Sequence, residues 1–303
     1  MPAIDANGIT LAYETHGNPK HEPLLLIAGL GLQLSDWPDE FCEVLAAEGF
    51  YVIRFDNRDS GLSTKMEEFG KPDLALALVK SMFFMPLLSG YTLYDMAKDA
   101  LGLLDALGIG KAHIVGSSMG GMIAQIVAAT RPDRSFTLTS IMSTSGRAGL
   151  PGPTLAAHNA LLSRPDNPRS IDSVVEHFVR AFRVLGSPGY PIPDSLLRRR
   201  VLASVRRGFH PRGTSRQFMA VAASGDRVAL LTTVRAPTLV IHGTDDPLVP
   251  IACGRDTANW VPGAILHEVE GMGHDLPPGL DEELAVLIAA HCRGDLMPAT
   301  RRA

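Results

Sequence analysis

The chain has 303 residues, 46% of them hydrophobic, and a formal net charge of −4. That size and apolar content allow one large core with room for an insertion. The mild acidity argues against a nucleic-acid partner, and the odd, scattered Cys42, Cys253 and Cys292 read as free thiols of a reducing compartment rather than a disulfide frame.

In chain order, Met1–Asp5 carries neither a basic n-region nor an apolar run, so no signal peptide is expected and the protein is assigned to the cytoplasm. Ile9–Tyr13 alternates like a half-buried strand, and Leu24–Ala28 is a continuous apolar run suited to a strand covered on both faces. Trp37–Glu48 is predicted helical, ended by Gly49, and Tyr51–Phe55 is the next strand. Leu74–Leu88 is apolar but is interrupted by Lys80 and Pro86 and is too short to span a bilayer. Core packing is the favoured reading there, over a pocket flap, a dimer contact or a lipid-touching surface. Leu93–Leu107 has helical apolar spacing. Ala112–Val115 is a strand, Met122–Val127 a helix and Phe136–Met142 a strand. Helical stretches follow at Ile171–Leu185 and Ser195–Arg207, then strand Thr238–His242, helix Arg255–Trp260, strand Ile265–Val269 and helix Glu282–His291. Pro298–Ala303 is expected to fray. Strands alternating with helices predict an α/β fold: a mostly parallel central sheet covered on both faces, with an inserted helical cap.

Three segments carry chemistry. Gly116-Ser117-Ser118-Met119-Gly120 joins a buried strand to a helix, the setting in which one serine is held out on a sharp elbow. Ser118 would sit at a helix N-terminus, and the backbone N–H of Met119 would face developing negative charge. A carboxylate, Asp245 or Asp246, leaves the strand Thr238–His242 in a Gly/Asp/Pro turn. His274 follows two glycines, Gly271 and Gly273, in a loop after Ile265–Val269. A serine hydroxyl needs a base to become nucleophilic, and an imidazole titrates near neutrality; a carboxylate can fix its tautomer. The order serine, acid, histidine is that of α/β-hydrolase triads.

The chain resembles serine α/β-hydrolases of the capped, esterase-like branch, and is similar to the aclacinomycin methylesterase group. The resemblance rests on the elbow, on Trp37-Pro38-Asp39-Glu40-Phe41, on Phe55–Ser63 and on Gly271–Pro277, and covers nearly the whole chain. It implies Ser118 as nucleophile, His274 as general base and Asp246, directly before Pro247, as the orienting acid, with Asp245 the fallback. It also makes the Leu30 backbone N–H the second oxyanion donor. Where many relatives have His-Gly, this chain has Ala28-Gly29, which leaves the bracing of that loop open. Arg58 is expected to brace the loop after Phe55 rather than touch substrate.

Three parts are expected: core residues 1–145, a helical cap over 146–232 and core residues 233–303. The cap holds 13 Arg, no Lys and five Asp plus Glu, which leaves −12 on the rest of the chain. Its arginines are read as pairing with the acidic body and solvating outer helix faces, in preference to steering an anionic substrate. No Cys/His cluster has zinc spacing, and Gly29-Leu30-Gly31 lacks the remaining elements of a dinucleotide fingerprint, so neither metal nor cofactor is expected. The function expected is cofactor-free hydrolysis of a small to medium, largely apolar ester, and the resemblance adds methyl esters to that class. Lactonase, C–C hydrolase or perhydrolase chemistry on the same triad is the enzymatic alternative, and a small-molecule receptor on a hydrolase fold is the alternative from another class.

Overall fold

The computed structural model describes residues 2–73 and 87–296. The strands are β1 Ala3–Ala6, β2 Ile9–His16, β3 Glu22–Ile27, β4 Phe50–Phe55, β5 Ala112–Ser117, β6 Ser135–Ile141, β7 Thr238–Gly243 and β8 Ile265–Val269. They form one sheet in the order β1-β2-β4-β3-β5-β6-β7-β8. β1 and β2 pair antiparallel, as do β2 and β4, and every pair from β4 to β8 is parallel.

β3 shows how the sequence builds the core. Leu24 and Leu26 pack on one face with Phe41 and Leu45 of α1 (Asp39–Ala47) and Leu284 and Ile288 of α10 (Asp281–Arg293). Leu25 and Ile27 pack on the other with Met96 and Leu103 of α2 (Leu93–Ala106) and Ile123 and Val127 of α3 (Met119–Thr130). Successive side chains of a strand point to opposite faces, so a strand covered on both sides must be apolar throughout. Each such side chain contributes about 1.5–3 kcal/mol by leaving water.

α1 starts at Asp39, two residues later than the apolar pattern suggests. Pro38 disfavours helix at the residue before it, and Trp37 is extended (φ −86°, ψ 106°). α9 (Ile251–Trp260) starts a turn earlier than predicted, immediately after Pro250.

Five helices lie between β6 and β7, all within residues 146–232: α4 Leu155–Leu162, α5 Ile171–Leu185, α6 Asp194–Gly208, α7 Pro211–Ser224 and α8 Val228–Leu231. α5 and α6 share a small apolar cluster of Val175, Val179, Leu197 and Val201. Arginines join the insert to the body: Arg207 pairs with Asp56 at 2.8 Å, Arg216 with Asp59 at 2.6 Å and Arg147 with Asp256 at 2.6 Å. Others pair within the insert, Arg183 with Asp194 at 2.7 Å and Arg198 with Glu176. The apolar stretch at 74–86 and the tail at 297–303 lie outside the described residues. Among the described residues no helix is long and apolar enough to cross a membrane.

Candidate active site

The parallel strands all end at one edge of the sheet, and the loops after β3, β4, β5, β6, β7 and β8 meet there. Open α/β sheets place their reactive groups at this edge.

Ser118 lies between β5 and α3 with φ 53° and ψ −118°. A non-glycine residue held there stores about 1–3 kcal/mol of strain. The turn is tight enough that a Cβ on Gly116 would strike the Gly120 backbone, and one on Gly120 would strike the Ile27 carbonyl. The Ser118 N–H donates to the Ile141 carbonyl at 2.9 Å, and the Ser118 carbonyl accepts from Ser143 Oγ at 2.8 Å. The elbow is thereby tied to β6.

Ser118 Oγ lies 3.0 Å from His274 Nε2, and His274 Nδ1 lies 2.7 Å from Asp246 Oδ2. A carboxylate only accepts, so Nδ1 carries the proton and Nε2 is left to take one from the hydroxyl. Asp246 Oδ1 accepts from the Leu248 and Val249 N–H groups at 2.9 and 2.8 Å. Burial acts to raise the Asp246 pKa. The adjoining His274 and hydrogen bonds from His242, His274 and the Val249 N–H outweigh it and hold the carboxyl well below its ordinary range. Asp245 does not face the ring. Its Oδ2 accepts from the Thr244 hydroxyl at 2.7 Å and the Gly271 N–H at 3.1 Å, bracing the histidine loop instead.

The insert braces the other side of that loop. The His274 N–H donates to the Leu185 carbonyl at the end of α5, at 2.7 Å. Ser187 Oγ accepts from the Gly273 N–H at 2.9 Å and donates to Asp275 Oδ1 at 2.5 Å. Burial raises the Asp275 pKa against the lowering effect of the Ser187 hydrogen bond and of His274.

The expected oxyanion donors, the backbone N–H groups of Met119 and Leu30, make no hydrogen bond to the protein among the described residues. The loop carrying Leu30 runs against the elbow: a Cβ on Gly29 would lie 3.3 Å from Ser118 Cβ. Two side chains brace it. Asn57 Nδ2 donates to the Ala28 carbonyl at 3.0 Å, and Gln217 Oε1 accepts from the Gly31 N–H at 2.8 Å. Arg58 is bidentate to Asp99 at 2.5 and 2.7 Å and lies over the Tyr91 ring, a structural brace as the sequence suggested.

Gln217, Asn57, Ser187 and Asp275 are the members of the site that sequence reasoning missed. Gln217 lies between Arg216 and the apolar run Phe218–Ala223 and belongs to no motif, so it gives no signal. Ser187 and Asp275 meet only once the chain is folded. Glu14, His16 and Asp39 bring metal-ligating atoms together, but Arg54 pairs with both carboxylates at 2.5 Å, which offsets half of their charge and places a cation where a metal ion would sit.

A family model described as alpha/beta hydrolase fold matches residues 22–277. Rhodomycin D methylesterase DnrP of Streptomyces peucetius is 33% identical over 308 aligned residues, 96% of this chain and 97% of that protein. A putative carbamate hydrolase, RutD of Variovorax paradoxus, is 28% identical over 87% of this chain and 89% of its own. Among solved structures, the meta-cleavage product hydrolase CumD of Pseudomonas fluorescens IP01 superposes with a TM-score of 0.74 at 22% identity, over 98% of each chain.

Proposed function

The chain belongs to the alpha/beta hydrolase fold family, and from that premise we propose that it is a serine carboxylic-ester hydrolase acting through an acyl-enzyme on a small to medium, largely apolar ester, a methyl ester foremost. The observation that carries the proposal is the unbroken chain Ser118 Oγ–His274 Nε2, His274 Nδ1–Asp246 Oδ2, at 3.0 and 2.7 Å, on a strained elbow. The methyl ester is supported by the likeness to a methylesterase over nearly the full length.

In this mechanism Ser118 Oγ attacks the ester carbonyl carbon while His274 Nε2 takes its proton. Asp246 holds the ring in the required tautomer and stabilises the imidazolium. The carbonyl oxygen becomes an oxyanion, which accepts from the Met119 and Leu30 N–H groups; donors already fixed in place need no reorganisation as charge develops. The tetrahedral intermediate collapses, the C–O bond to the alcohol breaks, and His274 returns the proton to the leaving oxygen. Water then attacks the acyl-enzyme with the same base and releases the acid and Ser118.

The residues at 146–232 act as a cap over the sheet edge, and the protein works in the cytoplasm on a small molecule. The unpaired Cys42, Cys253 and Cys292 support that placement. Turnover of a series of methyl and p-nitrophenyl esters by the full chain tests the proposal. Ser118→Ala lowers kcat by at least about a thousandfold, as for other triad deletions. Product analysis on lactones and on vinylogous diketones separates ester hydrolysis from the alternatives. A loss on Ser118→Ala of less than tenfold would remove the serine from the mechanism.

A further inference from the structure

The loop that carries Leu30 is held by a side chain from the insert. Gln217 lies in α7 and is fully buried. Its Oε1 accepts from the Gly31 N–H at 2.8 Å, and its Nε2 donates to the Arg58 carbonyl at 2.7 Å. Those partners fix the orientation of the amide, because the flipped form would set donor against donor and carbonyl against carbonyl. α7 cannot back away from the loop. The preceding Arg216 grips Asp59 through two hydrogen bonds of 2.8 and 2.6 Å, and Thr214 fills the space beside Gly31, where a Cβ would lie 2.8 Å from Thr214 Cγ2. The neighbouring residues are held independently: Gln33 donates to the Ser204 carbonyl at 2.7 Å, and the Leu32 carbonyl accepts from Ser60 Oγ at 2.5 Å. Between these fixed points the Leu32 N–H closes a turn on the Gly29 carbonyl at 3.3 Å, and the Gly31 N–H is the point at which this turn is tied to the insert, held by Gln217 alone among the described residues.

We infer that Gln217 is a positioning residue for the oxyanion site: one buried amide, clamped between the Gly31 N–H and the Arg58 carbonyl, aims the Leu30 N–H at the carbonyl oxygen of the substrate. The inference rests on Leu30 being the second donor of an ester hydrolase. It gives the insert a role in the chemical step itself, beyond walling off the substrate. The consequence is specific. Loss of the clamp weakens stabilisation of the tetrahedral state and leaves ground-state binding of the ester intact.

Gln217→Met keeps the volume and removes both hydrogen bonds. Removing an oxyanion donor outright costs about 10²–10³ in kcat, and misaiming one costs less. The expected result in the full chain is a fall in kcat of about tenfold or more per phosphonate-titrated active site, with KM within about threefold of wild type. The inhibition constant of a matching trifluoromethyl ketone, whose adduct carries the oxyanion, rises by the same factor as kcat/KM falls. An unchanged kcat per titrated site, a loss confined to KM, or unaltered ketone affinity overturns the inference. Gln217→Glu, measured at pH 6, guards against a Met variant that does not fold. Buried completely and facing the Arg58 carbonyl oxygen, its carboxyl is favoured in the protonated form, which both accepts from Gly31 and donates to Arg58, and it keeps at least half the ketone affinity of wild type. If it binds ketone no better than a folded Met variant, or loses more than tenfold on its own, the clamp is not what aims the donor. A wild-type protein that neither cleaves esters nor binds the ketone would instead remove the ester-hydrolase proposal.

Discussion

Asp246 is the residue whose surroundings decide most. It is buried, receives two backbone N–H groups on one oxygen and His274 on the other, and its carboxyl is held below the ordinary carboxylate range. The direction fixes two outcomes. Its charge stabilises the folded state at all pH values above the unfolded carboxylate pKa of about 3.9, and that contribution is lost as the pH falls from there through the depressed folded value. Asp246→Asn preserves the shape but presents an amide to the ring, which favours the wrong tautomer. Steady-state kinetics should show kcat reduced by about 10³–10⁴-fold. A loss below tenfold would mean that the carboxylate does not orient the base. Ser118 and His274 were legible in the sequence because glycine-flanked turns mark them, whereas two adjacent aspartates could be told apart there only by likeness to relatives. In the structure the distinction is steric. Asp245 is spent on the Gly271 N–H, and Asp246 reaches the ring. Gln217 was illegible because its role depends on two backbone groups more than 150 residues away.

Among the elements, the strands buried on both faces were the clearest, since a continuous apolar run has few other uses. The misplaced start of α1 shows a local rule, Pro38 acting on Trp37, overriding an apolar pattern. α4 and α7 were missed because neither carries a clean apolar stripe. α7 instead buries Arg216 and Gln217. Arg216→Met should therefore be costly, because it leaves the Asp59 carboxylate buried without its cation. Urea denaturation should show a loss of about 3–5 kcal/mol. Adding Asp59→Asn to that variant should recover part of the loss, and additive losses would show that the two groups do not act as a pair. The first turn of α10 contains an opposite case. Burial pushes the Asp281 pKa up to about 6, Arg200 acts against it, and Asp281 Oδ1 has no partner among the described residues. The folded state keeps a proton there that the unfolded chain has already lost, so stability falls as the pH rises from about 3.9 to about 6. Asp281→Asn removes that fall. Its melting temperature should match wild type near pH 4 and exceed it by about 2–4 °C above pH 6. An equal difference at both pH values would contradict the shift.

At the scale of the whole molecule, the fold makes distant residues meet. Ser118, Asp246 and His274 end or follow three parallel strands, and the sheet order sets β5, β7 and β8 so that their loops open on the same edge. The insert closes on this edge from the other side. It holds the histidine loop through Leu185 and Ser187 and the loop carrying Leu30 through Gln217. The arginine excess of the insert finds acidic partners in the body at Asp56, Asp59 and Asp256, which accounts for a charge imbalance visible in the sequence but ambiguous there. The measurement that bears most directly on this convergence is covalent trapping. Wild-type protein treated with an alkyl p-nitrophenyl phosphonate should gain one adduct, mapped by mass to the peptide containing Ser118. A crystal structure of that adduct should place the phosphoryl oxygen within hydrogen-bond distance of the Met119 and Leu30 N–H groups. No adduct, or one on another residue with Ser118 unmodified, would contradict the account.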